Sequence, residues 1–203
     1  MKLLTTPLRY PGGKAKAIPQ IINYLPSDFS EYREPFIGGG SLFIYLKQTS
    51  PHIKFWINDL NYDLYCFWSM AKINMNHLIT DIYNLKNTAV SGKDLFQELT
   101  TLNLESLSEL ERGVRFFVLN RITFSGTVDC GGFSQTAFES RFTRSSIERL
   151  RSLESLLQDT TITNLDYSQV INHPGHNVFL FLDPPYLTAT NSKLYGKKGD
   201  LHT

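Results

Sequence analysis

Cysteine is scarce in this sequence, and that scarcity narrows what the chain can be. The 203 residues include two cysteines, Cys66 and Cys130, and five histidines. The cysteines form no CxxC pair and the histidines form no ligand set, so neither a disulfide framework nor a metal site is indicated. A long apolar run and a secretory leader are also missing. Because no stretch approaches the roughly 18 apolar residues of a membrane helix, we expect no membrane partner and a cytoplasmic location.

A strong net charge of either sign is missing too. The formal net charge is +1, which by itself does not indicate a nucleic-acid partner. The charge is uneven, however, because the stretch 112–151 holds seven arginines, no lysine, three acids and six phenylalanines. Arginines interleaved with aromatic rings suit a surface that binds phosphates and touches bases. The alternative is that this stretch is structural, with the arginines on the exposed face of a helix and the phenylalanines in a small hydrophobic core.

The rest of the composition is typical of a globular protein. Hydrophobic residues make up 41% and charged residues 19%, and the length suits one domain with an insertion. Short apolar runs alternate with stretches of helical periodicity, which predicts an α/β fold with a parallel sheet. Strands are predicted before the first glycine-rich turn, near 32–36, and at 53–57, 161–165 and 178–182. Helices are predicted at 14–24, 42–48, 60–72, 75–85, 93–102, 108–120 and 145–158.

One connection is too long for a simple crossover between strands. We predict that residues 72–144 form a mostly helical insert, which ends in a glycine-rich hairpin between Gly126 and Gly132. The main domain is then discontinuous, with its N-terminal part at 1–71 and its remainder at 145–203.

A glycine-rich turn, Gly38-Gly39-Gly40, follows the first predicted strand and precedes a helix. Glycine lets the backbone approach a ligand, and in nucleotide-binding α/β folds an acid after the next strand binds ribose hydroxyls. Asp59 lies 21 positions after Gly38, at that point. The pair predicts a nucleotide-type site. The alternatives are a purely structural helix entry for the glycines and a helix cap for Asp59.

The segment Asp183-Pro184-Pro185-Tyr186 follows an apolar predicted strand. Two prolines stop strand pairing and fix a rigid loop at the carboxyl end of the strand, where such sheets bind ligands. The loop offers a carboxylate, carbonyl oxygens and an aromatic ring, which together suit an exocyclic amine on a flat base. Asp183 and the Pro184 carbonyl can accept hydrogen bonds from the amine while Tyr186 stacks on the base. The alternative is a turn that only ends the strand.

Four motifs follow one another along the chain: Arg9-Tyr10-Pro11-Gly12-Gly13-Lys14, Glu34-Pro35-Phe36-Ile37-Gly38-Gly39-Gly40-Ser41, Leu119-Asn120-Arg121 and Asp183-Pro184-Pro185-Tyr186. In this order they resemble the Dam-type, or D12 class, DNA adenine-N6 methyltransferases. The resemblance implies a Rossmann-like S-adenosylmethionine-dependent methyltransferase fold with a helical target-recognition insert. It also implies methyl transfer to N6 of adenine in double-stranded DNA, with Asp183, Pro184 and Tyr186 as the catalytic residues.

The resemblance implies that the cofactor contacts Tyr10, Lys14, Phe36, Gly38, Gly40, Asp59, Asp166 and Asp183. Lys14 can pair with the methionyl carboxylate, Tyr10 can face the sulfonium, and Asp59 can bind the ribose diol. Asp166 would lie near the adenine of the cofactor. Its alternative is a helix cap before Tyr167.

The resemblance further implies that DNA contacts Asn120, Arg121, Phe124, Ser125 and Asp129. Phe124 would wedge into the base stack, or else lie in the core of the hairpin. Family members that read GATC have asparagine and arginine where this chain has Ser125 and Asp129. Because an acid accepts from cytosine N4 and cannot donate to guanine, a different target is predicted.

Resembling proteins continue past the catalytic loop, so we expect this chain to lack the C-terminal part of the catalytic domain and to leave its fourth strand as an edge. A truncated product, a split enzyme completed by a complementary C-terminal polypeptide, and a remnant that only binds DNA are alternatives. A methyltransferase for RNA or for a protein glutamine generally has asparagine where this chain has Asp183. A nicotinamide dehydrogenase leaves the segment at 183–186 unexplained.

Overall fold

A parallel β-sheet organises the fold in the computed structural model, which describes residues 3–128 and 130–185. Its strands are β1 (Glu31–Glu34), β2 (Lys54–Asn58), β3 (Thr160–Thr163) and β4 (Val178–Leu180). They lie in the order β3-β2-β1-β4, and every described pairing is parallel. The predicted α/β fold with a parallel sheet is confirmed.

Helices connect and cover the strands. They are α1 (Ile18–Ile21), α2 (Ser41–Thr49), α3 (Tyr62–Ile73), α4 (Met75–Thr88), α5 (Gly92–Thr101), α6 (Glu109–Ile122), α7 (Gln135–Arg141), α8 (Arg144–Glu148), α9 (Arg151–Leu157) and α10 (Tyr167–Asn172). Within the residues that the structure describes, no helix is long and apolar enough to cross a membrane.

The two faces of the sheet differ because strand side chains alternate in direction. Tyr32, Phe55 and Ile57 lie on one face and are at most 2% exposed, in a core to which α2, α3 and α9 also contribute. On the other face, the Arg33 guanidinium donates hydrogen bonds to the carbonyls of three residues in and after α10, namely Val170, His173 and Pro174. These bonds hold α10 to β1.

An ion-pair cluster joins α6 to α3. The carboxylate of Asp63 accepts from Arg112 Nη1 at 2.6 Å and from Arg115 Nη1 at 2.8 Å, and Asp63 and Arg115 are both buried. Arg115 also donates to the Leu99 carbonyl. Two of the seven arginines that the composition associated with phosphate binding therefore hold the helices together. The sequence could not show that these two arginines are structural, because their partner Asp63 lies 49 and 52 positions away.

Several predicted elements are wrong in detail. The predicted helix 14–24 is a short α1 flanked by two single 3-10 turns, and Pro19 at the start of α1 lacks the N–H that a longer helix would need. The predicted helix 145–158 is divided into α8 and α9. At the join, the amide of Leu150 donates to Ile147 and that of Leu153 to Leu150, so that the turn is tighter than an α-helix.

The predicted hairpin is a loop closed by a single antiparallel bridge. Thr123 pairs with Phe133 on either side of a 3-10 turn at Phe124–Gly126, and the described part of 123–133 forms no longer two-stranded ladder. Ser125 and Gly126 have φ of +54° and +76°, which are turn conformations that cannot extend a strand. The structure also contains two helices, α7 and α10, that the hydrophobic periodicity did not predict.

Candidate functional site

An open cleft lies at the carboxyl ends of β1, β2 and β4. Its walls come from four parts of the chain: Tyr10 to Lys14, Glu34 with Phe36 to Leu42, Asp59 with Asn61, and Phe181 with Asp183 to Pro185. Residues more than 170 positions apart in sequence thus meet at one edge of the sheet, as expected where parallel strands end.

Glycine is required where this cleft approaches the Tyr10 ring. Gly38 has φ of +46°, and a Cβ added there would lie 2.9 Å from the ring. The Gly38 amide donates to Asp59 Oδ2 at 3.0 Å, while Asp59 Oδ1 accepts from the amide of Asn61. The cap of α3 is Asn61, so the alternative that Asp59 caps this helix is wrong. Asp59 instead links the ends of β1 and β2 at the cleft.

Two more predicted cofactor residues shape the same wall. Gly40 precedes α2 with φ of +65°, and a Cβ there would lie 2.9 Å from the buried Trp68 ring. Phe36 lines the cleft, and its ring centroid lies 5.4 Å from that of Tyr167. The glycine-rich turn is thus packed against aromatic rings, with Gly38 beside Tyr10 and Gly40 beside Trp68.

A short ion pair closes one side of the cleft. Lys14 Nζ lies 2.6 Å from Asp183 Oδ2 and also donates to the carbonyl of Gly12. Both charged side chains are 24% exposed, so water reaches the pair and so can a ligand. Pro184 and Pro185 continue the wall directly after Asp183. Tyr186, the third predicted catalytic residue, lies outside the described residues, as does Asp129.

Glu34 is the buried acid of the cleft, and sequence reasoning gave it no role. It is 3% exposed, and its Oε2 accepts from the Tyr32 hydroxyl at 2.6 Å. Burial raises the pKa of Glu34 to about 8, and the carboxylates of Asp183 and Asp59 raise it further against the opposing hydrogen bonds from Tyr32 and the backbone of Phe43. A pKa near 8 keeps Glu34 mostly protonated, and so neutral, at neutral pH.

This burial predicts an unusual pH dependence of stability. The folded protein keeps Glu34 protonated up to about pH 8, whereas the unfolded chain loses that proton near the ordinary value of 4.5. The resulting stabilisation is full below the unfolded pKa and is lost as pH rises toward 8. From pH 5 to 8 we expect the wild-type free energy of unfolding to fall, relative to that of Glu34→Gln, on the order of 3 kcal/mol.

Urea unfolding of both proteins at pH 5, 6.5 and 8 measures this difference. The glutamine variant is the matched control because its amide is neutral at every pH and its oxygen can still accept from Tyr32. Parallel stability profiles for the two proteins would contradict a protonated Glu34.

Asp166 lies away from the cleft walls. Its Oδ1 accepts from the amide of Ser168, which makes Asp166 the N-cap of α10. The alternative interpretation of Asp166 as a helix cap is therefore confirmed. A contact with cofactor remains a prediction for Asp166.

A second surface surrounds the turn at Phe124–Gly126. The Phe124 side chain is 61% exposed, so its alternative as a hairpin core residue is wrong, and Ser125 beside it is exposed as well. Asn120, in contrast, is fully buried and bonded to backbone atoms. A direct contact of Asn120 with DNA would first require these bonds to break.

Arg121 lies below this surface in an arginine cluster. It is 5% exposed, and its Nη2 donates to the carbonyl of Pro7, while its Nε has no partner among the residues that the structure describes. Burial and neighbouring cations lower the pKa of Arg121 to about 10; these cations are Arg149, Arg9 and Arg141. In the described ranges none of these four arginines forms an ion pair with a carboxylate, so an anion bound near them would relieve their mutual repulsion.

Fold and site together define a class: a parallel α/β sheet with a glycine-rich turn, an acid after the next strand and an Asp-Pro-Pro loop is the Rossmann-like arrangement of S-adenosylmethionine-dependent methyltransferases. Comparison with known sequences is more specific. Residues 10–203 match the family described as D12 class N6 adenine-specific DNA methyltransferase. The chain belongs to this family of adenine-specific DNA methyltransferases.

Relatives within this family share about a quarter of their aligned residues with the chain. The type II methyltransferase M.MjaIII of Methanocaldococcus jannaschii is 27% identical, over 91% of this chain and 71% of its own length. The type II methyltransferase M1.LlaDCHI of Lactococcus lactis is 26% identical, over 92% and 67%. A DNA adenine methylase of Vibrio cholerae is 23% identical, over 95% and 70%. Apart from Arg9, the residues of the four motifs that carry the resemblance lie within the matched residues 10–203.

Proposed function

We propose that this chain binds S-adenosylmethionine in the cleft and transfers its methyl group to N6 of an adenine that has left the DNA stack. The observation that carries this proposal is the meeting of Asp183 and Pro184 with Lys14 and the Gly38 turn in one cleft. Membership of an adenine-specific DNA methyltransferase family supports the same reaction. A nicotinamide dehydrogenase would leave the Asp-Pro-Pro loop without a role.

The residues of the cleft fit this cofactor. Asp59 lies where a carboxylate can accept from ribose hydroxyls, and the Gly38 turn leaves space that side chains would fill. Lys14 would bind the methionyl carboxylate, and the Tyr10 ring would face a cationic sulfur. When bound, S-adenosylmethionine supplies an electrophilic methyl group on a sulfonium.

The protein's part in the reaction is to orient and polarise the amine. The lone pair of adenine N6 is delocalised into the ring, which makes the amine a weak nucleophile. Hydrogen bonds from the amine to Asp183 and to the Pro184 carbonyl would draw the nitrogen toward a tetrahedral geometry. Such positioning is worth roughly 7 to 11 kcal/mol when reacting groups are well aligned. Tyr186 would stack on the extruded base.

The arginine cluster and Phe124 are proposed to bind the duplex. Phosphate contacts fix the register of a protein on DNA, while an aromatic side chain can occupy the gap that a flipped base leaves. Arg9 of this cluster donates from Nη1 to the carbonyl of Thr123, which directly precedes the exposed Phe124. Asp129 and Ser125 would read bases beside it.

Methyl transfer to DNA tests this function directly. The purified chain is incubated with tritiated S-adenosylmethionine and unmethylated duplex DNA, and the DNA is digested to nucleosides. Label in N6-methyl-2′-deoxyadenosine is the expected result. Label in cytosine, or in RNA or protein substrates only, would contradict the assignment, and no label in any substrate would support the remnant that only binds DNA.

The arginine cluster gives a prediction for binding. Arg141 is exposed. Its positive charge lowers the pKa of both Arg9 and Arg121. We expect Arg141→Gln to weaken binding of any duplex by roughly threefold to tenfold and to reduce the slope of log affinity against log salt by about one. Fluorescence anisotropy at several salt concentrations measures both quantities.

Arg151→Gln is the control for this change. Arg151 is also exposed, but it pairs with Glu148 and lies outside the cluster. If both variants lower the salt slope equally, the cluster has no special role in binding phosphate.

A further inference from the structure

Asn120 on α6 holds two distant segments together. Its Oδ1 accepts from the Arg9 amide at 3.0 Å, and its Nδ2 donates to the carbonyls of Arg9 at 2.6 Å and Gly126 at 3.0 Å. The side chain is fully buried, so these bonds form without competition from water. Both amide hydrogens are thus donated to backbone, one to each segment.

Two more contacts hold the same segments. Arg9 Nη1 donates to the Thr123 carbonyl at 3.1 Å. A Cβ on Gly126 would lie only 2.2 Å from the Arg9 carbonyl oxygen, so the two backbones are as close as glycine allows. The turn at Phe124–Gly126 and the segment at Arg9 therefore move together unless these bonds break.

Each segment continues into a different part of the site. Arg9 precedes Tyr10, whose ring lines the cleft and would contact any Cβ on Gly38. The other segment carries Phe124, which projects into solvent. A continuous line of contacts thus runs from the exposed ring through Asn120 to the glycine-rich wall of the cleft, although no residue of 120–126 lines the cleft.

We propose that Asn120 is a positioning residue that couples the cofactor cleft to the Phe124 turn. Filling the cleft fixes the Tyr10 segment, and the Asn120 bonds transmit this order to the turn that faces DNA. By linkage, a duplex on the turn then favours cofactor binding by the same factor. The inference rests on the proposed function but gives Asn120 a role different from a contact with bases.

Hydrogen exchange measured by mass spectrometry, with S-adenosylhomocysteine as the ligand, tests this coupling. In the wild type we expect the ligand to slow exchange in peptides covering 37–41, which line the cleft, and also at least fivefold in peptides covering 123–128. In Asn120→Asp an oxygen faces the two carbonyls in place of the amide. The slowing at 123–128 should then fall below twofold at saturating ligand, while that at 37–41 persists.

A second variant breaks the link from the other segment. Gly126→Ala places a Cβ against the Arg9 carbonyl and leaves Asn120 unchanged, and it should abolish the same distant effect. Ser134→Ala is the control. It removes the N-cap of α7 without touching the Asn120 bonds and should keep the ligand effect at 123–128.

The outcomes separate the two proposals. If the wild type slows at 37–41 but not at 123–128, or if Asn120→Asp keeps the full distant effect, the coupling is refuted and the cofactor site stands. If no slowing occurs at 37–41 in the wild type, the cofactor site itself is wrong, and the coupling falls with it.

Discussion

Asp183→Ala is expected to lower the rate of methyl transfer about 10³-fold at saturating cofactor and DNA. The side chain would accept a hydrogen bond from the adenine amine in the transition state, and loss of one such preorganised group typically costs a factor of 10² to 10³. The change also removes the partner of Lys14, so the affinity for S-adenosylhomocysteine should change as well. DNA affinity should stay within about threefold, because Asp183 lies in the cleft and the arginine cluster is untouched.

Two further variants show whether the carboxylate acts as an acceptor. Asp183→Asn keeps an oxygen that can accept from the amine and should retain at least about tenfold more activity than alanine. Asp28→Ala removes an exposed acid remote from the cleft and should match the wild type. Single-turnover rates of transfer to DNA separate the chemical step from binding. Equal rates for Asp183→Ala and Asp28→Ala would show that Asp183 has no part in the reaction.

Asp63→Ala is expected to destabilise the fold by about 3 to 5 kcal/mol, because it removes a carboxylate that is ion-paired with the buried Arg115. Arg112 loses the same carboxylate, at 2.6 Å. Since domains are commonly stable by only about 5 to 15 kcal/mol, the variant should unfold at a much lower urea concentration. Helix α6 should be the first element affected because this cluster joins it to α3.

Glu148→Ala is the control for an ion pair in solvent. Its partner Arg151 is 50% exposed, and solvent screens such surface pairs so that they contribute little to stability. Urea unfolding monitored by circular dichroism compares the two variants with the wild type. A midpoint for Asp63→Ala as close to the wild type as that of Glu148→Ala would mean that the Asp63 cluster does not stabilise the fold.

The cleft is the part of the site that sequence predicted best. Tyr10, Lys14, Gly38, Asp59 and Asp183 were each proposed from a short motif, and all five contribute to its walls. The reason is local: glycine, proline and the end of an apolar strand set backbone geometry within a few residues, and parallel strands bring their carboxyl ends together. Their individual roles stay predictions that the variants above can test.

The DNA-facing part was predicted less well, because its residues depend on distant partners. Arginines at 112 and 121 stand in the same stretch of sequence, yet the first pairs with Asp63 and the second has no carboxylate partner among the described residues. Asn120 belongs to a motif associated with DNA and proves to bind backbone 111 positions away. Glu34 belongs to a quoted motif, but only its burial reveals a raised pKa.

The sequence alone determined the class of fold, the family resemblance and the loop that is proposed to carry the reaction, because these follow from periodicity and from residues that constrain their own backbone. The tertiary structure decided which charges are paired, which acid has a raised pKa and which polar side chain connects cleft and turn. Such properties depend on burial and on atoms brought within hydrogen-bond distance from opposite ends of the chain. Periodicity along a sequence does not encode those distances.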